Sequence, residues 1–180
     1  MTRDYDEMKR DLKDLPDDAR LWVFGADRPL TGEEVVGLEA RLSGFFEGWA
    51  AHRVDLVAGS RIEERRFVLV GVDEARARAS GCSIDALQRV VGELEGTLDV
   101  RLRDGSLVFY REGSGEVMAC DRAEFRRLGE RGEITGRTPV FDTTIDRLAA
   151  WRAGRFERPA SASWHARLLP EEIAGARRTG

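Results

Sequence analysis

An unbroken apolar run from Phe67 to Val72 constrains the fold of this chain more than any other feature. Apolar runs of this length, bounded by charged and polar residues, are typical of strands that are buried on both faces. A short polar loop follows the run. Beyond it, the apolar residues between Ile84 and about Gly96 recur on one stripe of a helix. We therefore expect a central β-strand that is covered by helices.

The remaining elements can be placed around this strand in chain order. They are a strand at 21–24, a helix that begins at a Thr31–Glu34 capping box and extends to about Ala51, strands at 54–63 and 67–72, a helix at 84–96, and strands at 107–111 and 117–119. The first six elements have the order βαββαβ, which is that of ferredoxin-like folds. In that topology the first and third strands are central, and here these are the two continuous apolar runs. The prediction is an α+β fold, a ferredoxin-like sandwich with a C-terminal helix and strand extension.

Three glycines interrupt the first predicted helix, at Gly37, Gly44 and Gly48. Each costs about 1 kcal/mol of helix stability relative to alanine. We expect them at positions where the helix backbone lies close against the sheet.

Four regions are expected along the chain. They are an N-terminal tail at 1–19, the ferredoxin-like domain at 20–119, a C-terminal extension packed on it at 120–169, and a loose tail at 170–180. In the extension, we expect a short helix from Asp121, an extended segment at Pro139–Phe141 and a last helix through Trp151, capped by Asp142 or Thr143.

Composition excludes several classes of protein. The chain is 42% apolar and 34% charged, which suits one soluble domain, and no run is long enough to span a membrane. No secretory signal is visible, so a cytoplasmic protein is expected, with Cys82 and Cys120 as free thiols. The net charge of −4 argues against a nucleic-acid-binding protein.

The scarcity of lysine excludes further chemistry. Lys9 and Lys13 are the only lysines, and both lie near the N-terminus. A phosphate-binding P-loop needs a lysine after its glycines, and a Schiff-base enzyme needs one in its site. Neither activity is expected.

Several ordered motifs carry a resemblance to a known family. They are Trp22 with Asp27-Arg28-Pro29-Leu30, Trp49 with His52, the segment Ser80-Gly81-Cys82-Ser83-Ile84-Asp85, and Ser163-Trp164. With these motifs, the chain resembles, over about residues 15–169, a family of small bacterial proteins that often carry the label "ABC transporter ATPase". That label implies ATP hydrolysis, but the chain has no Walker motif, and Leu42-Ser43-Gly44-Phe45 is not an LSGGQ signature.

Cys82 is the most suggestive candidate for catalysis. The free N–H groups at the start of a helix lower the pKa of a nearby thiol, and His52 or His165 could supply a base. The structural alternative is a hydrophobic staple, in which Ser83 caps the helix and Cys82 packs on Leu87. Both interpretations remain open at the level of sequence.

The sequence contains further candidate binding residues besides this cysteine. Ser80, Gly81, Ser83 and Asp85 are candidate ligand-binding residues at the start of the helix, and Asp73 is one at the end of the central strand. Trp151 and Trp164 could each bind a partner or dock on their own chain.

A zinc site would require all four soft ligands of the chain, which are Cys82, Cys120, His52 and His165. Their spacings match no usual zinc motif, so no metal and no cofactor is predicted. The function expected from these observations is non-catalytic binding or regulation through an unknown protein or small ligand. The alternative is a thiol-dependent enzyme or redox sensor that uses Cys82 with a histidine.

Overall fold

The computed structural model describes residues 11–171, which divide into two compact units. The first contains residues 11–103 and 144–153, and the second contains residues 104–143 and 154–171. Helices and antiparallel sheets occur in the chain together, so the predicted α+β class is confirmed.

The helices and strands have the following bounds. They are β1 (Arg20–Gly25), α1 (Gly32–Phe46), β2 (Ala50–Ala51), β3 (Val54–Asp55), β4 (Val57–Glu63), β5 (Phe67–Asp73), α2 (Gly81–Leu98), β6 (Leu107–Arg111), β7 (Val117–Asp121), α3 (Arg122–Glu130), β8 (Pro139–Phe141), α4 (Leu148–Arg152) and β9 (Glu157–Pro159).

The main sheet of the first unit has the strand order β1-β5-β4, with both pairs antiparallel. The central position of the predicted apolar run is confirmed, because β5 is buried along its length except at Asp73. Val68, Val70 and Val72 alternate along β5 and belong to one core cluster with residues of both α1 and α2. The two long helices therefore pack on the same face of this sheet.

The opposite face of the sheet is covered by residues that were expected to form a tail. Leu12, in a 3-10 helix, and Leu15 are almost completely buried. A Cβ atom on Gly71 would lie 2.7 Å from Leu12 Cδ2 and 2.8 Å from Leu15 Cδ1, so a larger residue at position 71 would force these two leucine side chains to move. The prediction of a tail at 1–19 is thus wrong for residues 11–19, while residues 1–10 lie outside the described part of the chain. Pro170 and Glu171 are the described residues of the other predicted tail.

The predicted fourth strand of this sheet is also wrong. Leu107–Arg111 is a strand, but it pairs with β7 and β8 in a separate sheet of the second unit. At the outer edge of β1, Arg20 instead forms an isolated antiparallel β-bridge with Arg147, and the Leu21 N–H donates a hydrogen bond to the Asp146 carbonyl. A short apolar run specifies a strand, but its partner strand is determined by distant residues.

Two boundaries near the end of α1 differ from the prediction. The helix ends at Phe46 rather than at Ala51, and the predicted strand at 54–63 is divided into β3 and β4. The chain turns between β2 and β3 at His52 and Arg53, which both have positive φ. A two-residue turn of this kind matches the twist of antiparallel strands and usually contains Asn-Gly. The turn here is His-Arg, so no recognisable signal of it is present in the sequence.

The second unit contains a four-stranded sheet with the order β7-β6-β8-β9. As predicted, Asp121 caps a short helix, and its carboxylate accepts the backbone N–H of Glu124. The extended segment at Pro139–Phe141 is confirmed as β8. The last predicted helix is α4, which belongs to the first unit; it is shorter than expected, and the residue before it is Arg147 rather than Asp142 or Thr143.

Candidate functional site

The start of α2 differs from its predicted geometry in a way that decides the position of Cys82. Ser80, not Ser83, caps the helix, since its hydroxyl accepts the Ser83 N–H at 3.2 Å. Cys82 is therefore the second residue of the helix and is exposed, so the predicted hydrophobic staple with Leu87 is wrong. Ser80 and Ser83 both satisfy the preference for an N-cap, and the sequence alone does not choose between them.

His52 lies in the β2–β3 turn, near the element that carries Cys82. The Trp49 indole donates a hydrogen bond of 2.9 Å to the Ser83 carbonyl, which ties the chain before this turn to the first turn of α2. Within the described residues, however, no hydrogen bond joins the Cys82 thiol to His52 or to another side chain. A thiol and base in contact are thus not present in this conformation.

The candidate ligand-binding residues around Cys82 are engaged locally or exposed. The Ser83 hydroxyl donates to the Ser80 carbonyl at 2.9 Å and is buried, whereas Gly81 and Asp85 are exposed. Asp73 accepts the backbone N–H of Ala75 at 2.9 Å, which shapes the chain after β5. Among residues 11–171, no cluster of His, Cys, Asp or Glu could hold a metal ion.

The two cysteines are free, and they are expected to differ sharply in reactivity. Cys82 is exposed, whereas Cys120 is half-buried, and burial together with Asp121 and Glu124 raises the pKa of Cys120 to about 11. The thiolate is the form that alkylating reagents attack, so Cys120 should react at least about tenfold more slowly than Cys82 in the native protein. Mass spectrometry of iodoacetamide-treated protein checks this, with Cys82→Ser and Cys120→Ser variants to assign each site. Equal rates for the two thiols would contradict it.

A groove with a mainly apolar lining opens between α1 and α2 on the first unit. Its volume is about 430 Å³, within the range of clefts that bind small ligands. The lining residues are Glu33, Glu34, Gly37, Leu38, Arg41, Glu93, Leu94, Thr97 and Leu98. We call this feature the α1–α2 groove.

Gly37 is part of the lining of this groove, and the space above it is empty. The prediction that the glycines of the first predicted helix lie against the sheet is wrong, because a Cβ atom on Gly37, Gly44 or Gly48 would meet no atom within 4 Å. Packing therefore does not explain a glycine at position 37, although it costs helix stability. The glycine was the one sequence signal that could have pointed to the groove.

Two ion pairs hold charged residues along the edges of the groove. Arg41 bridges the two helices through a 2.6 Å contact with Glu93. Arg28 donates to both carboxylate oxygens of Glu34, at 2.8 and 3.0 Å, and to the Leu98 carbonyl at 2.5 Å. These bonds from Arg28, together with the Thr31 backbone N–H, lower the pKa of Glu34 to about 2.

The second unit has a groove of its own, with a volume of about 510 Å³. Tyr110, Leu128, Ile134 and Pro139 contribute its apolar surface. Its lining is more polar than that of the α1–α2 groove, and Arg111 is held there by a 2.6 Å contact with Glu157.

A buried polar network lies elsewhere in the second unit. Asp142 is 3% exposed and accepts hydrogen bonds from Arg158 at 2.6 Å and from the Trp164 indole at 3.2 Å. The Trp164 ring stacks on His165 with 3.9 Å between ring centroids. Trp164 thus docks within its own unit, and in the first unit Trp151 lies beside Arg61, whose guanidinium is 5.6 Å from the ring centroid.

His165 is completely buried beside this network. Its Nδ1 lies 2.8 Å from the Ser163 hydroxyl, while its Nε2 has no partner among the described atoms. Burial, with a contribution from Arg158 and Arg122, lowers the pKa of His165 to about 4, although Asp142 acts in the opposite direction. A histidine in this position is inaccessible to a substrate, so His165 is unsuited to serve as the base for a catalytic thiol.

Comparisons with known proteins provide no further constraint. No protein-family model, curated protein or solved structure matches the chain. No helix among residues 11–171 is both long enough and apolar enough to cross a membrane.

Proposed function

We propose that this chain is a non-catalytic binding module that recognises a protein or small ligand in the α1–α2 groove. The observation that carries the proposal is the mainly apolar groove between α1 and α2, which has Gly37 in its lining and open space above that glycine. An alanine or leucine there would stabilise the helix and would cover apolar surface that α1 and α2 leave accessible. Recognition of a ligand accounts for a glycine that neither packing nor helix stability favours.

The chemistry of the groove supports binding over catalysis. Proton transfer near neutral pH requires a group whose pKa lies near that range. Glu34 has its pKa lowered to about 2 by Arg28, and Glu93 is paired with Arg41. These carboxylates are arranged as fixed charges, which confer specificity on a binding surface.

Filling the groove is expected to weaken recognition without damaging the fold. In a fragment screen followed by NMR, ligands of the wild-type groove should bind a Gly37→Leu variant at least about tenfold more weakly, a loss of about 1.4 kcal/mol. Gly44→Leu is the matched control, because Gly44 lies on the same helix, is exposed and has the same empty surroundings. Both variants should gain helix stability. Ligands that bind Gly37→Leu as tightly as they bind the wild type would show that the groove is not the site.

A second candidate function is the thiol-dependent enzyme or redox sensor based on Cys82. The observation that favours it is the exposure of Cys82 in the first turn of α2. Alkylation that remains fast when the pH is lowered to about 6 would support this function, since ordinary thiols are protonated there. Alkylation that slows tenfold per pH unit would remove it.

The layout of the first unit supports a ferredoxin-like relationship as part of the proposal. β1, α1 and β4 form a split βαβ arrangement with β5 between the two strands, and α2 follows β5. The relationship proposed is to a ferredoxin-like sandwich whose fourth edge position is occupied by short segments rather than by a full strand.

A further inference from the structure

The helices on either side of the α1–α2 groove carry a marked excess of negative charge. Six carboxylates and two arginines occur between Gly32 and Phe46 and between Gly81 and Leu98. Three of these carboxylates and one of the arginines line the groove itself. Arg28 and Arg103 pair with Glu34 and Glu95 and offset part of this charge. Even with Arg28 included, carboxylates outnumber arginines at the groove, so a positively charged partner would meet an attractive field there.

One of the three carboxylates that line the groove has no ion-pair partner within the described residues. Glu34 is engaged by Arg28, and Glu93 is engaged by Arg41. Glu33 is exposed at the start of α1 and makes no ion pair within the described residues. It can therefore pair with a cation of a bound molecule without first losing a partner of its own.

The floor of the groove has the chemistry that a helix recognises. Leu38 and Leu94 are buried beneath it, and Leu98 is half-buried at its end. An apolar groove between two neighbouring helices can bind a third, amphipathic helix. The apolar residues of such a helix recur at i, i+3, i+4 and i+7.

From these observations we infer that the occupant of the α1–α2 groove is a positively charged amphipathic helix of a partner protein. This inference rests on the proposed function, and it adds the class and the charge of the ligand. The apolar side of the helix lies on Leu98 and on the floor above the buried Leu38 and Leu94, and its lysine or arginine residues face Glu33 and the neighbouring carboxylates.

A displayed peptide library tests the inference with a defined probe. The peptides have Leu, Ile, Met or Phe at helical i, i+3, i+4 and i+7 positions and a random choice of Lys, Glu or Gln elsewhere. Selection on the wild-type protein is followed by removal of peptides that also bind Gly37→Leu. In the remaining pool, the ratio of Lys to Glu is expected to rise at least about threefold over the input.

Variants of the carboxylates that line the groove test the charge preference independently, through the affinity of a selected peptide. Glu33→Gln combined with Glu93→Gln should weaken binding about fivefold at low salt, and the difference should shrink in about 1 M salt. Asp85→Asn is the matched control, because it removes an exposed carboxylate from α2 outside the groove. Equal losses in the control and in the edge variant would overturn the assignment of the charge.

Failure of this inference can be distinguished from failure of the proposed function. A pool that shows no preference for Lys, or one for Glu, overturns the positive charge but leaves the groove as the site. If fragments bind in the groove and no helical peptide does, the helix is overturned. If neither class of probe depends on Gly37, the proposed function fails with the inference.

Discussion

An Asp142→Ala variant is expected to lose about 3 kcal/mol of stability in the second unit, the lower end of the range for breaking a buried ion pair. The loss is large because the substitution leaves the Arg158 guanidinium and the Trp164 indole without their acceptor. The lower end applies because the Arg158 side chain is 28% exposed and water can replace part of the lost interaction. Native-state hydrogen exchange of the β8 amides measures the change within the second unit.

A matched control for Asp142 is available in the same unit. Glu157→Ala removes the carboxylate that pairs with Arg111, but Glu157 is 37% exposed by its side chain. Exposed pairs contribute about 1 kcal/mol or less, so this variant should have a small effect. A loss for Asp142→Ala no larger than that for Glu157→Ala would contradict the structural role of the buried network.

The second unit is also expected to lose about 3 kcal/mol of stability as the pH falls from about 6.5 to about 4, because of His165 alone. Burial lowers the pKa of His165 from 6.5 to about 4. Between these values the unfolded chain binds the proton and the folded chain does not, so acid favours unfolding. The full stability is present above about 6.5, and the loss is complete below about 4.

The contribution of His165 is isolated by comparing variants over this range. Hydrogen exchange in the second unit of His165→Gln should show a smaller pH dependence than the wild type. His52→Gln is the control, because His52 is the only other histidine and is exposed in the first unit. If the stability of His165→Gln depends on pH as steeply as that of the wild type, protonation of His165 is not the cause of the loss of stability in acid.

The parts of the fold that could be predicted from sequence are those determined locally. The continuous apolar residues of β5 specify a strand buried on both faces, and the Thr31–Glu34 capping box specifies the start of α1. The sheet to which Leu107–Arg111 belongs was not predictable, because its pairing with Val140 and Phe141 depends on residues about 30 positions away.

The candidate site was predictable only in part. The exposed position of Cys82 depends on a choice between two serine caps that differ by three residues. The α1–α2 groove depends on the spacing of two helices that are distant in sequence, so the only local trace of it was the unfavourable glycine at position 37. The burial of His165 had no signal in the sequence, since burial of a lone histidine is decided by tertiary packing.

The most direct test of groove recognition is the methyl NMR spectrum of the leucine residues during titration with the tightest ligand from either screen. The methyl signals of Leu38, Leu94 and Leu98 are predicted to shift in a saturable manner. The signals of Leu128 and Leu169, which are buried in the core of the second unit, should remain unchanged. Saturable shifts at the second-unit leucines with none at the groove would contradict the account.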